Sequence, residues 1–295
     1  MVSSYEEMMK SANYLPFHLG YLTPEMIEIA QKELKENENS RSSSIEKLRK
    51  SVFNEKSLNC RTDDEFLLQF LRARKFDLKK SLVCLKNLYD VFCKSYSDVF
   101  TDHDAKNTRK AIHSGFASHL PYRDEEGAAV LLVKTSNWDP SKYDTIGIFN
   151  SITAMVMDAI DDPATQVCGV HLLIDVSGTT LQHVRCLTPR YLYLVSKGVK
   201  DSIPVRYKAI HLFNASAVFR YIWVVLRVFL TDKIRKRIHF HEDNESLQKL
   251  IPKAILPAEY GGDNVDFDPA AWSSRELGNF LPKYLKIINH KGINK

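Results

Sequence analysis

The chain has 295 residues, 44% hydrophobic and 26% charged, with 41 Lys/Arg against 36 Asp/Glu and a formal net charge of +5. That length makes one large or two modest domains with a sizeable core. The apolar run from Tyr221 to Leu226, closed by Arg220 and Arg227, falls far short of the about 20 residues that cross a bilayer, which excludes a transmembrane helix there.

The opening MVSSYEEMMK has no signal-peptide pattern. Five cysteines without a CxxC pair predict free thiols in a reducing, cytoplasmic setting. The first hundred residues read as helices. Thr23-Pro24-Glu25 supplies a cap, a first-turn proline and an acid. The polar stretch ENENSRSSS (36–44) reads as a loop or flexible link, followed by a short amphipathic helix over 45–53. The run Thr62-Asp63-Asp64-Glu65 caps a helix whose stripe is Phe66, Leu67, Phe70 and Leu71, and Asp77 opens another carrying Leu78, Leu82, Leu85, Leu88, Tyr89 and Phe92.

From about residue 126 the period changes. AAVLLVK (128–134), VCGVHLLIDV (167–176) and VRYKAIHLF (205–213) are short runs rich in β-branched residues, two of them preceded by glycine-bearing turns. Helical segments near 143–160 and 188–200 separate them, which predicts a largely parallel sheet with crossover helices. Tyr260-Gly261-Gly262 is a stop, and 271–289 reads as a last amphipathic helix. The expected organisation is an all-helical N-terminal lobe over 1–100 and an α/β domain over 101–295.

The charge is uneven. Residues 200–240 hold nine Lys/Arg and two acids, a local +7 that exceeds the charge of the whole chain. This region surrounds an apolar helix, Ala217 to Leu230, interrupted by Arg220 and Arg227, which lie seven apart and nearly on one face. Such a helix can cover an apolar cavity in water and rest in a membrane interface while its arginine stems snorkel; it is the candidate lid. Arg206 and Lys208 alternate on an expected strand, and Lys233 and Arg237 lie four apart on an expected short helix, so each pair shares a side. Guanidinium and ammonium groups so gathered suit a phosphorylated lipid headgroup, although a solvated basic surface fits the same pattern.

Catalytic signatures are missing. There is no phosphate-binding loop, dinucleotide fingerprint or nucleophile elbow. Tyr193 and Lys197 make a Y-x-x-x-K pair with no glycine-rich loop upstream, and His239 with His241 offers two ligand atoms but no third. No enzyme activity, cofactor or metal is therefore expected. Nucleic acid is not an expected partner either, since the basic residues flank an apolar helix instead of interleaving with aromatics on a sheet.

The segments DDEFLLQFLRARKFDLKKS (63–81), Trp138-Asp139-Pro140, IPVRYKAIHLFNA (203–215), FLTDKIRKRIHFH (229–241) and ILPAEYGG (255–262) occur in this order. Together they make the chain resemble the CRAL-TRIO lipid-transfer family over roughly residues 20–290, nearest its tocopherol- and retinaldehyde-binding branch. The resemblance implies a helical lobe on a cavity domain with a mixed, largely parallel sheet, one hydrophobic ligand under a mobile helix, and no covalent chemistry. It implies a phosphoinositide-binding role for Arg74, Arg206, Lys208, Lys233 and Arg237, at an endosomal or plasma membrane to which a cytoplasmic monomer attaches reversibly. It implies a pocket wall from Phe149, Ile152, Val156, Val170, Leu172, Ile174, Leu181, Val199, Ile203 and Ile210, and a lid from Phe219, Ile222, Trp223, Leu226 and Phe229. Tocopherol, retinoid, sterol, carotenoid and phospholipid are all apolar enough to be the ligand. The aliphatic Ile152 and Val156 stand where the tocopherol branch has small hydroxyl residues, which weighs against tocopherol. The alternative function is a lipid-sensing adaptor that recruits a protein partner.

Overall fold

The computed structural model describes residues 4–56, 58–100 and 105–288. The helices are α1 (Ser4–Ser11), α2 (Pro24–Leu34), α3 (Glu38–Asn54), α4 (Asp64–Ala73), α5 (Leu78–Asp90) and α6 (Ala105–His113), then the strands β1 (Ala117–His119) and β2 (Ala129–Lys134). Next come α7 (Thr145–Asp161), α8 (Pro163–Cys168), β3 (Val170–Asp175), α9 (Leu181–Cys186), α10 (Pro189–Lys197) and β4 (Tyr207–Phe213). The chain continues through α11 (Ala217–Phe229), α12 (Asp232–Arg235), β5 (Ile238–His241), α13 (Asn244–Gln248) and α14 (Pro269–Ile288). The expected α/β class with a helical N-terminal part is the architecture observed. The expected boundary at residue 100 abuts 101–104, which lie outside the described residues, as does the last residue of the helix expected over 271–289.

Local chemistry sets most helix starts. Thr23 Oγ1 accepts from Met26 N at 3.4 Å with Pro24 at the first helical position. Asp63 accepts from Phe66 N at 3.1 Å and Asp77 from Lys80 N at 3.0 Å. Of the stretch 36–44, expected as a loop or flexible link, residues 38–44 instead form the first turns of α3. Asn37 Oδ1 accepts from Ser40 N at 2.8 Å while Ser40 Oγ accepts from Asn37 N at 3.0 Å, a reciprocal box that offsets the weak helix preference of the serines. The expected strand over 167–176 is shorter for a similar reason. Val167 and Cys168 belong to α8, whose cap Asp162 accepts from Ala164 N at 2.8 Å, and Gly169 at φ 84° turns the chain into β3.

The sheet has the order β1-β2-β3-β4-β5, with β1 antiparallel to β2 and the rest parallel. Parallel strands that neighbour each other in sequence order put their crossover helices on one face, given the single handedness of such connections. That face carries Leu131, Val133, Leu172 and Ile210 against α7 and α10. The opposite face carries Val130, Leu132, Leu173 and Phe213, covered by Met9, Leu247, Ile251, Ile255 and Tyr260. Burial on both faces explains why the strands read as continuous apolar runs.

Two features displace cations from their expected positions. Register slips between Val170 and His171, which pair with Tyr207 and Ala209, so Lys208 is the extra residue of a bulge and Arg206 precedes the strand. Likewise α12 ends at Arg235, leaving Arg237 beyond the helix in the turn before β5. At Gly169 a Cβ would lie 2.6 Å from Arg206 O, in a backbone region open essentially to glycine. Gly169→Ala is expected to lower stability by about 1–3 kcal/mol, read as a drop in the urea midpoint; an unchanged midpoint would show that the turn relaxes freely.

Candidate functional site: an apolar cavity beside a cationic cleft

Between the sheet, α7, α10 and α11 lies a cavity of about 210 Å³. The expected wall residues Phe149, Ile152 and Val156 of α7, Leu172 and Ile174 of β3, and Val199 and Ile203 line it, as do Phe219, Ile222 and Leu226 of α11. Five others are placed elsewhere. Val170 and Ile210 are packed in the core without bordering the cavity, and Leu181, at the first position of the short α9, is 63% exposed. Trp223 sits edge-on to the Phe240 ring at 5.3 Å, and Phe229 edge-on to Tyr193 at 5.5 Å. Helical period alone could not assign these, because Trp223 and Phe229 point to the flanks of α11.

Several wall residues came from outside the expected set: Phe92 and Phe100 from the helical region, Phe116, Trp138, and the polar Thr153, Thr179 and His183. Phe92, just beyond α5, was visible as the last member of the apolar stripe read from Leu78 onward; the others needed the fold. The polar groups face protein partners. Thr153 Oγ1 donates to Phe149 O at 2.8 Å and Thr179 Oγ1 to Val176 O at 2.6 Å. His183 Nδ1 accepts from Thr180 N at 2.9 Å, which fixes the ring hydrogen on Nε2, where it donates to Trp138 O at 2.8 Å. With those partners made within the protein, the wall suits an apolar guest.

Helix α11 closes one side. Ser216 Oγ accepts from Phe219 N at 3.2 Å and starts it. Its inner face buries Phe219 and Ile222, while Tyr221 (71% exposed), Val224, Val225 and Val228 (74%) form an apolar outer ridge next to Arg220 and Arg227. Both faces of this helix are therefore apolar, and only one is covered.

Against the cavity lies a larger, open cleft of about 950 Å³, and Val199 and Tyr207 border both spaces. All five cations singled out from the sequence line it: Arg74 from the end of α4, Arg206 and Lys208 from the start of β4, and Lys233 and Arg237 from α12 and the turn after it. Lys35, Lys75 and Lys80 join them from two further segments, which is why the charge count missed them, as does Lys200, which that count included without singling it out. Arg74 Nη2 donates to Cys84 Sγ at 3.1 Å, Arg237 Nη1 to Tyr207 O and Arg206 Nη1 to Val167 O, so backbone and thiol contacts hold the guanidinium groups. Glu33 pairs with Arg206 at 2.6 Å, Asp77 with Lys80 at 2.8 Å, and Glu126 with Lys208. Lys233 reports the resulting field: burial, then Arg237, Lys75, Arg74 and Lys80 push its ammonium below the usual lysine range. A gathering of cations of this kind suits an anion with several oxygens.

The remaining candidates for chemistry have structural partners. His241 Nε2 lies 3.0 Å from His211 Nδ1, and its Nδ1 3.1 Å from Ser246 Oγ, so both ring nitrogens are engaged in a ladder that continues to His171. Lys197 is 3.9 Å from Asp90, and Tyr193 packs on Phe229. Among the described residues no helix is long and apolar enough to cross a membrane.

The chain is similar to known proteins along most of its length. Residues 113–262 match the CRAL/TRIO domain and residues 30–87 the CRAL/TRIO N-terminal domain. The chain is 35% identical over 256 residues to Clavesin-2 of Mus musculus, spanning 85% of this chain and 78% of that protein. It is 33% identical over 261 residues to the alpha-tocopherol transfer protein-like protein of Homo sapiens, spanning 88% and 76%. The crystal structure of Sfh5 superimposes with a TM-score of 0.51 at 13% identity, covering 85% of this chain and 99% of Sfh5, which supports the fold alone. With both domain matches and relatives above 30% identity along most of its length, the chain belongs to the CRAL/TRIO family.

Proposed function

We propose that this protein carries one hydrophobic lipid in its internal cavity and exchanges it at membranes bearing phosphoinositides, without chemical change to the lipid. Family membership implies lipid binding and transfer. The observation that carries the finer reading is the juxtaposition of an apolar cavity, a helix with an uncovered apolar ridge, and a cleft lined by nine lysines and arginines. In this reading residues 1–100 form the helical lobe and 101–295 the cavity domain. The cleft takes a phosphorylated headgroup through Arg74, Arg206, Lys208, Lys233 and Arg237, and attachment to the membrane is peripheral and reversible. Helix α11 then lays its ridge of Tyr221, Val224, Val225 and Val228 into the interface. Apolar area removed from water there, at about 25 cal/mol per Å², offsets the loss of its inner contacts, and the cavity opens. The cavity of about 210 Å³ is below the roughly 300–1,000 Å³ of ligand pockets, so loading is coupled to displacement of α11.

The test is mass spectrometry of lipids extracted from natively purified protein. One lipid class at near-stoichiometric occupancy supports the carrier; a folded protein with no enriched lipid removes it. Ile152→Trp, which fills the lumen from α7, is expected to cut occupancy roughly tenfold, equivalent to about 1.4 kcal/mol of overpacking, with vesicle attachment unchanged. Equal occupancy in both proteins would place the lipid elsewhere.

A further inference from the structure

We infer that His18, His119 and Asp158 form a binding site for a zinc-class divalent cation, remote in function from the cavity and cleft, with Glu276 at its rim. One ligand atom from each of the three lies within 4.8 Å of the others. His119 Nε2 is 3.4 Å and His18 Nε2 3.6 Å from Asp158 Oδ2, and His18 Nε2 is 3.8 Å from Glu276 Oε2. Bonds of about 2.0–2.1 Å to a tetrahedral ion put neighbouring ligand atoms roughly 3.3–3.4 Å apart, close to the His119–Asp158 and His18–Asp158 separations, while the two histidine nitrogens, within 4.8 Å of each other, would draw together on binding. Two imidazole nitrogens and a carboxylate oxygen are a donor set that favours zinc over magnesium or calcium.

A second observation is independent of the spacing. The side chains of His119 and Asp158 are 0% and 6% exposed, and among the described residues neither His119 Nε2 nor Asp158 Oδ2 has a hydrogen-bond partner. Leaving two buried polar atoms facing each other unsatisfied is costly unless something joins them.

The third ligand is brought in by a pinned strap. Phe17 N donates to Pro121 O at 2.8 Å, and Leu19 N and Gly20 N donate to Asp162 Oδ2 at 2.6 and 2.8 Å, fixing the backbone on both sides of His18. The His18 ring is 48% exposed, which leaves a route in from solvent. An ion here would staple the strap before α2 to β1 and to α7, the helix that also carries Phe149, Ile152 and Val156 of the cavity wall.

One contact opposes the ion and sharpens the test. Trp272 Nε1 donates to His119 Nδ1 at 3.2 Å, which keeps the ring hydrogen on Nε2. Coordination through Nε2 moves that hydrogen to Nδ1, where it meets the indole N–H, so the Trp272 ring must turn away. Binding is therefore coupled to Trp272, and Trp272→Phe, by removing the competing donor, should tighten it.

The experiment titrates metal-stripped full-length protein with Zn²⁺ by calorimetry while following indole fluorescence. One equivalent is expected in the unmodified chain, with a fluorescence change that disappears in Trp272→Phe. Affinity should fall at least about tenfold, the lower bound seen even for outer partners of metal ligands, in His18→Ala, which removes a half-exposed side chain and is expected to leave the fold intact. It should rise in Trp272→Phe. Zn²⁺ should raise the melting temperature of the unmodified chain and not of His18→Ala. The absorption spectrum of the Co²⁺-loaded protein is expected to be of the intense, four-coordinate kind. Equal Zn²⁺ affinity in the unmodified chain and His18→Ala, or a pale six-coordinate Co²⁺ spectrum, would overturn the site.

Discussion

Replacing Lys233 and Arg237 together by alanine is expected to weaken attachment to phosphoinositide-bearing vesicles by roughly 30-fold and to slow lipid transfer to them, with lipid occupancy unchanged. The magnitude follows from about 1 kcal/mol per basic residue at an anionic surface, which for two residues is roughly 30-fold. Both side chains line the cleft from one short segment, and Lys233 already stands among Arg237, Lys75, Arg74 and Lys80 with its ammonium disfavoured. Anionic oxygens entering that cluster would relieve the mutual repulsion, so the remaining cations do not simply substitute for the two removed. The attachment of the unmodified chain should also weaken with salt, since the Debye length shortens to about 8 Å at physiological ionic strength and about 3 Å at 1 M. Cosedimentation with vesicles, with and without phosphoinositide, measures the first effect, and transfer between donor and acceptor vesicles the second. Transfer unchanged in the double variant would remove docking at this cleft from the proposed cycle. Occupancy falling along with attachment would mean the two residues support the cavity and not the membrane contact.

The second large effect is on stability. Glu36→Gln is expected to cost about 3–5 kcal/mol, the range for a buried ion pair that loses one partner. Glu36 is 1% exposed between α2 and α3 and accepts from Arg72 Nε at 2.9 Å and Arg72 Nη2 at 2.8 Å, while Arg41 Nε donates to it at 2.7 Å. Arg72 on α4 is itself buried and also donates from Nη1 to Gln166 Oε1 of α8 at 2.8 Å. Neutralising the glutamate leaves the Arg72 guanidinium enclosed with one amide oxygen in place of a carboxylate. Removing both partners as Glu36→Leu with Arg72→Met should recover much of the loss, because desolvating the pair consumes most of its attraction. Urea unfolding followed by circular dichroism compares the three proteins. A loss below about 1 kcal/mol for Glu36→Gln would mean that water reaches the guanidinium and that this network does not join the helical region to the sheet domain.

Arg72 and Arg74 show how far a linear reading extends. They are two residues apart in the segment FLRARKF, and both lie at the C-terminal end of α4. One is enclosed by Glu36 and Gln166; the other reaches the cleft, donating to Cys84 Sγ and approaching Lys200 O. Charge counting along the chain found Arg206, Lys208, Lys233 and Arg237 as a cluster because they fall within one stretch of forty residues. It could not find Arg74, which the family resemblance supplied, or Lys35, Lys75 and Lys80, which neither reading supplied.

What the sequence determined by itself were the features written into a few consecutive residues. The caps at Thr23, Asp63 and Asp77, the helical stripes of α4 and α5, the β-branched runs of β2, β3 and β4, and the apolar α11 flanked by Arg220 and Arg227 all depend on hydrogen bonds and periodicities spanning one or two turns. The three-residue β1 was invisible, since Ala117, Ser118 and His119 have no strand pattern and pair only because β2 offers an edge. Within the loop or flexible link expected over 36–44, residues 38–44 are helix, started by a capping box and preceded by the buried Glu36, whose burial is a long-range event. Only the tertiary structure decided which apolar residues border the cavity and which fill the core, because Val170, Ile210 and Leu172 share the same chemistry and differ in what faces them. It alone brought His18 to His119 and Asp158, from a strap, a strand and a helix. Local propensity fixes the direction of a side chain relative to its own element, whereas a cavity, a cleft or a metal site requires the relative placement of several elements, which packing across the whole chain sets.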